Sequence, residues 1–75
     1  MKVDDLLAFA EAVLDMSGFD LPADEVEYYF SGLDMNVITF EWDVFPGFLL
    51  RLELKRDNGE VLKGPTLVRE ADEQA

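Results

Sequence analysis

The sequence predicts an α+β domain in which two N-terminal helices pack on one face of a three-stranded antiparallel β-meander, in the order ααβββ. Three observations predict it. Apolar residues recur at helical spacing over the first third of the chain. The hydrophobic period changes to two near residue 37. Short Gly-, Pro- and Asn-containing turns then separate the alternating runs.

The first helix spans about residues 3–17. Val3, Leu6, Leu7, Ala10, Val13 and Leu14 form one apolar stripe, widened on one flank by Phe9 and Met16. Asp4 and Asp5 suit the positive end of the helix dipole. Gly18 and Phe19 fit a Schellman ending, with Gly at C′ and an apolar residue after it.

A second helix is expected from Pro22. Asp24 and Glu25 stand in its first turn, Val26, Tyr29, Phe30 and Leu33 at helical spacing, and Gly32 at its end. Val26 to Phe30 also reads as a short strand, because Tyr and Phe favour sheets. The Pro and Gly punctuation favours the helix.

Ile38, Phe40, Trp42 and Val44 alternate with Val37, Thr39, Glu41 and Asp43, which makes a half-buried strand. Phe45-Pro46-Gly47 is a turn. Phe48, Leu50, Leu52 and Leu54 then alternate with Leu49, Arg51, Glu53 and Lys55, and Asp57-Asn58-Gly59 turns the chain into a third strand over 60–63. Side-chain sorting favours three-residue loops with a Gly bulge at both turns. That register sets Val44 against Phe48, Trp42 against Leu50, Phe40 against Leu52 and Glu41 against Arg51. At the next turn it sets Arg56 against Glu60, Leu54 against Leu62 and Glu53 against Lys63. Gly64-Pro65 is expected to stop the third strand, with Thr66 to Val68 as a short extra edge pairing. Residues 1–69 form one domain and 70–75 a frayed tail.

The chain has 75 residues, no Cys and no His. Disulfides, thiolate zinc sites and histidine chemistry are thereby excluded. With 49% hydrophobic residues the chain has enough apolar area to fold. The two serines, Ser17 and Ser31, have no His to activate them. Paired carboxylates would need a pocket that a domain this small has little room for. Asp57-Asn58-Gly59-Glu60 lacks the later ligands of a calcium loop and reads as a hairpin turn. Neither catalysis nor a cofactor or metal is expected. No apolar run is long enough to cross a membrane, and Met1-Lys2-Val3-Asp4-Asp5 does not read as a signal peptide, so a cytoplasmic protein is expected.

Function is argued from charge. The formal net charge is −11. Residues 1–34 carry nine acids and one base, residues 35–64 five acids and four bases, and residues 65–75 three acids and one base. Most of the excess therefore belongs to the expected helical layer. Asp4, Glu11 and Asp15 fall within roughly 40° of one another on the first helix and are expected opposite the Val3/Leu7/Leu14 stripe. Two plainer sources of acidity are a solvated helix face and a salt-rich habitat. A solvated face normally mixes signs, whereas here no Lys or Arg is interleaved.

Such a surface repels nucleic acid and anionic membranes and attracts basic protein surfaces. In size, charge and lack of catalytic residues the chain resembles the small proteins that phages use against host defence, such as anti-CRISPR and anti-restriction proteins. The resemblance is one of composition, and no motif carries it. It implies an inhibitor whose carboxylates imitate phosphates and occupy a partner's basic, nucleic-acid-binding surface. The residues expected to meet that partner are Asp4, Glu11, Asp15, Asp24, Glu25 and Glu27, with Tyr28, which falls off the apolar face of the second helix, and Phe45 at the hairpin tip. The alternative is an interaction module such as an antitoxin, adaptor or small chaperone. It would bind through Phe45 or through an outer-face patch of Val37, Leu49 and Val61, which also offers a homodimer contact.

Overall fold

The computed structural model describes residues 1–19 and 26–69. Helix α1 spans Val3–Met16. Four strands follow: β1 (Val26–Ser31), β2 (Val37–Phe45), β3 (Phe48–Lys55) and β4 (Val61–Arg69). They form one antiparallel sheet in the order β1-β2-β3-β4. A 3₁₀ turn, Leu33–Met35, joins β1 to β2.

Helix α1 forms as its pattern requires. Leu6, Ala10 and Leu14 are buried, and Val3, Leu7 and Val13 pack at the edge of the core. The Schellman ending is present: the Phe19 amide donates to Leu14 O (2.9 Å) and the Gly18 amide to Asp15 O (3.1 Å). Two expected stripe members do not join the core. Met16 is 88% exposed and Phe9 47%. Phe9 instead lies against Gly59 in the β3–β4 turn.

Residues 26–31 of the expected second helix are a strand instead, and the described residues form one α-helix on a four-stranded sheet. Residues 26–31 are a strand whose even members Val26, Tyr28 and Phe30 stand opposite Trp42, Phe40 and Ile38. The spacing of apolar residues here suits either period. Pairing with β2 decides between them. It supplies a ladder of backbone bonds and lets the Tyr28 ring meet Phe40 at 6.1 Å and Phe30 at 5.9 Å. Gly32, read from sequence as a helix terminator, opens the turn into β2. Pro22 lies outside the described residues, as does the tail at 70–75.

The central pair has the expected register: Phe40 faces Leu52, Glu41 faces Arg51 and Trp42 faces Leu50. At its tip the outcome differs. Phe45, not Val44, stands opposite Phe48, and the extra residue is taken up by an irregularity between Asp43 and Phe45. Between β3 and β4, Glu53 faces Lys63 as expected. Leu54 faces Val61 rather than Leu62, and Lys55 rather than Arg56 bonds Glu60, its amide donating to Glu60 O at 2.7 Å. Arg56 is engaged elsewhere. Its amide donates to Asn36 O, and its guanidinium lies 4.6 Å from the centre of the Phe30 ring.

Gly64-Pro65 does not end the last strand. Arg51 faces Thr66 and Glu53 faces Lys63, so Gly64 and Pro65 together stand where one residue would. A bulge on an edge strand accommodates a residue that cannot donate a ladder bond. The segment Thr66 to Val68 is thus the continuation of β4.

Even-numbered residues of β2 and β3 face α1. Ile38, Phe40, Trp42, Leu50, Leu52 and Leu54 are buried there with the helix stripe. Odd-numbered residues, among them Glu41, Arg51 and Glu53, point to the other face. The alternation of the sequence maps directly onto this two-sided sheet.

Candidate functional site

The carboxylates expected to meet a partner are positioned by two different elements. Asp4, Glu11 and Asp15 are held by α1, together with Asp5, and all four are exposed. Their row does not stand opposite the buried stripe. At about 100° per residue it lies about 120° around the helix from Leu6, Ala10 and Leu14, and the point opposite that stripe is taken by Ala8 and Ala12. The acidic row is therefore one flank of the exposed helix surface. The crest and other flank form a shallow, mostly apolar depression lined by Met1, Asp5, Ala8, Phe9 and Ala12. Along the axis, Asp4 and Glu11 are about 10 Å apart and Glu11 and Asp15 about 6 Å, from the helical rise. This is sparser than the one charge per about 3.4 Å of a nucleic-acid strand.

Among the described residues no ion pair engages Asp4, Asp5, Glu11 or Asp15. The ion pairs formed by described residues lie on the other face of the sheet. Arg51 donates from Nε (2.8 Å) and Nη2 (2.6 Å) to Glu41 Oε2, and Lys63 Nζ is 3.9 Å from Glu53. The reason lies in the sequence. Arg51 and Glu53 alternate along β3 and meet Glu41 of β2 and Lys63 of β4 across the ladder, while α1 contains no base at all.

Glu27 does not join the helix row. It is an odd-numbered residue of β1, faces away from α1 and stands directly opposite Glu41. Tyr28 is on the helix side and 49% exposed, with its ring against Phe30 and Phe40. Asp24 and Glu25 lie outside the described residues. Phe45 ends β2 opposite Phe48, and its side chain is outside the described ones. The structure thus divides the expected surface, with three carboxylates on the helix and one across the sheet.

The apolar patch of the alternative reading is not assembled. Val61 pairs with Leu54 on the helix side, while Leu49 faces Val68 on the outer side. Val37 is opposite Lys55, at the far end of β2 from the Asp43–Leu49 pair.

One feature escaped the sequence reading: the outer edge of β1, with which no other described residue pairs, and which exists only because residues 26–31 form a strand. The Val26–Phe30 alternation was its signal. Among the described residues no group of three or more acids is arranged to hold a metal ion, and no helix is long and apolar enough to cross a membrane. Comparison with protein-family models, with curated proteins and with solved structures returned no significant match.

Proposed function

We propose that the protein is a non-catalytic binding protein that presents the carboxylate flank of α1 to a basic, nucleic-acid-binding surface of another protein, and so inhibits it. One observation carries this reading. The helix carboxylates are exposed and without ion pairs among the described residues, while Arg51 and Lys63 are engaged with acids of the sheet. An unneutralised surface on a chain of net charge −11 attracts a cationic partner over roughly a Debye length, about 10 Å at 0.1 M salt. The spacing of the row favours recognition by field over a register-matched copy of a phosphate backbone. The compositional likeness to phage anti-defence proteins makes RNA-guided and restriction nucleases the first partners to try.

The test is displacement of a labelled duplex from such nucleases, followed by fluorescence anisotropy across a salt series. The natural chain is expected to displace DNA, and its potency to fall steeply as salt rises. The triple variant Asp4→Lys, Glu11→Lys, Asp15→Lys is expected to lose that potency while keeping its fold. Displacement that is indifferent to salt, or unchanged in the triple variant, removes the proposal.

A further inference from the structure

The two edges of the sheet are unlike. On β4, two register irregularities, one of them at Gly64-Pro65, interrupt the ladder, and Lys63 lies alongside. Natural sheets use such devices to prevent edge pairing. β1 carries none of them. Its six residues, Val-Glu-Tyr-Tyr-Phe-Ser, pair with β2 without irregularity, and among the described residues nothing pairs with its other side. Its alternate backbone groups therefore face outward without a partner strand among the described residues.

The charge along this edge is also incomplete. Across the outer face the order of partners is Glu27, Glu41, Arg51. Arg51 is bound to Glu41. Glu27 is thus left at the free end of the row, directly opposite a like charge, with no cation bonded to it among the described residues. Directly opposed like charges destabilise a strand pair, and a cation on the next strand would relieve them.

We propose that β1 binds an extended basic segment of a partner as a fifth, antiparallel strand, with Lys or Arg opposite Glu27 and apolar residues opposite Val26, Tyr28 and Phe30. Backbone bonds supply the attachment, and the alternate side chains supply the selectivity. Charge argues against a second copy of this chain, since each copy brings a net charge of −11 and the same Glu27. This surface is separate from the flank of α1.

The probe is the blocked peptide acetyl-Thr-Val-Thr-Val-Lys-Val-amide, whose residues would lie opposite Ser31 through Val26 in turn. Its relatives carry Thr or Glu in place of Lys. Hydrogen exchange followed by NMR is expected to show protection of alternate β1 amides. The Lys peptide is expected to bind about two- to fivefold tighter than the Thr peptide, and the Glu peptide weakest. Glu27→Gln should abolish that preference, whereas Asp34→Asn, which removes the same charge elsewhere, should keep it. The triple helix variant should keep it too, which separates this outcome from failure of the helix reading. A peptide N-methylated on the amides facing β1 should not bind. The proposal is overturned if millimolar Lys peptide leaves β1 unprotected, if the N-methylated peptide binds equally, if Glu27→Gln retains the preference, or if sedimentation shows β1 joined to a second copy.

Discussion

Arg51 and Glu41 face each other across β2 and β3, and two guanidinium nitrogens of Arg51 converge on one carboxylate oxygen of Glu41. Both side chains are largely withdrawn from water, at 25% and 13% exposure. Partial burial makes removal of one partner more costly than at an open surface, because the other charge stays half-desolvated. Glu41→Gln is expected to lower stability by about 1–2 kcal/mol. Arg51→Met should cost at least as much, since it leaves Glu41 opposite Glu27 without the cation that is bonded to it. Urea unfolding of both single variants and the double variant forms a cycle. A coupling energy near zero would show the pair to be incidental.

Gly59 and Gly47 separate backbone strain from contact. Both have positive φ, +76° and +85°. A Cβ at Gly47 meets nothing within 4 Å, whereas one at Gly59 comes within 3.1 Å of Phe9 Cδ2. Gly47→Ala is expected to cost about 1 kcal/mol, from the left-handed conformation alone. Gly59→Ala should cost more, and the excess should shrink when Phe9→Ala is added. Equal melting temperatures for the two single variants would mean that Phe9 yields freely.

Asp15 stands in the last turn of α1, where the helix dipole disfavours an acid, and that turn contains no base. Asp15→Lys is expected to stabilise the fold by about 0.3–1 kcal/mol. Asp4→Lys, in the first turn, should destabilise it by a similar amount. Both substitutions should weaken binding to a basic partner. Thermal unfolding therefore ought to separate the two residues while binding treats them alike. If Asp15→Lys lowered the melting temperature, the carboxylate would have a structural partner.

Legibility from sequence followed the uniqueness of each pattern. Helix α1 and the Trp42–Leu50 register were readable because one period, and one sorting of charges, buried Leu6, Ala10 and Leu14 of the helix and the even-numbered apolar residues of β2 and β3. Val26 to Ser31 was not decided that way. Its aromatics satisfy a helical stripe and an alternating strand about equally well, and only a neighbouring β2 edge, distant in sequence, offers the backbone bonds that settle it. The same limit applied at Phe9, whose place against Gly59 depends on a turn some fifty residues away.

The amino-acid order alone determined the acidity of the molecule, its lack of cysteine and histidine, the amphipathic first helix and the alternating core strands. These depend on composition and on nearest neighbours along the chain. Tertiary structure decided which carboxylates share a surface. By making residues 26–31 a strand, it turned Glu27 to the face away from α1 and left beside it an edge that no other described strand covers. Side-chain direction in a sheet reverses with every residue, so the position of a charge in space follows from the pairing partner and cannot be read from the charge count of a segment.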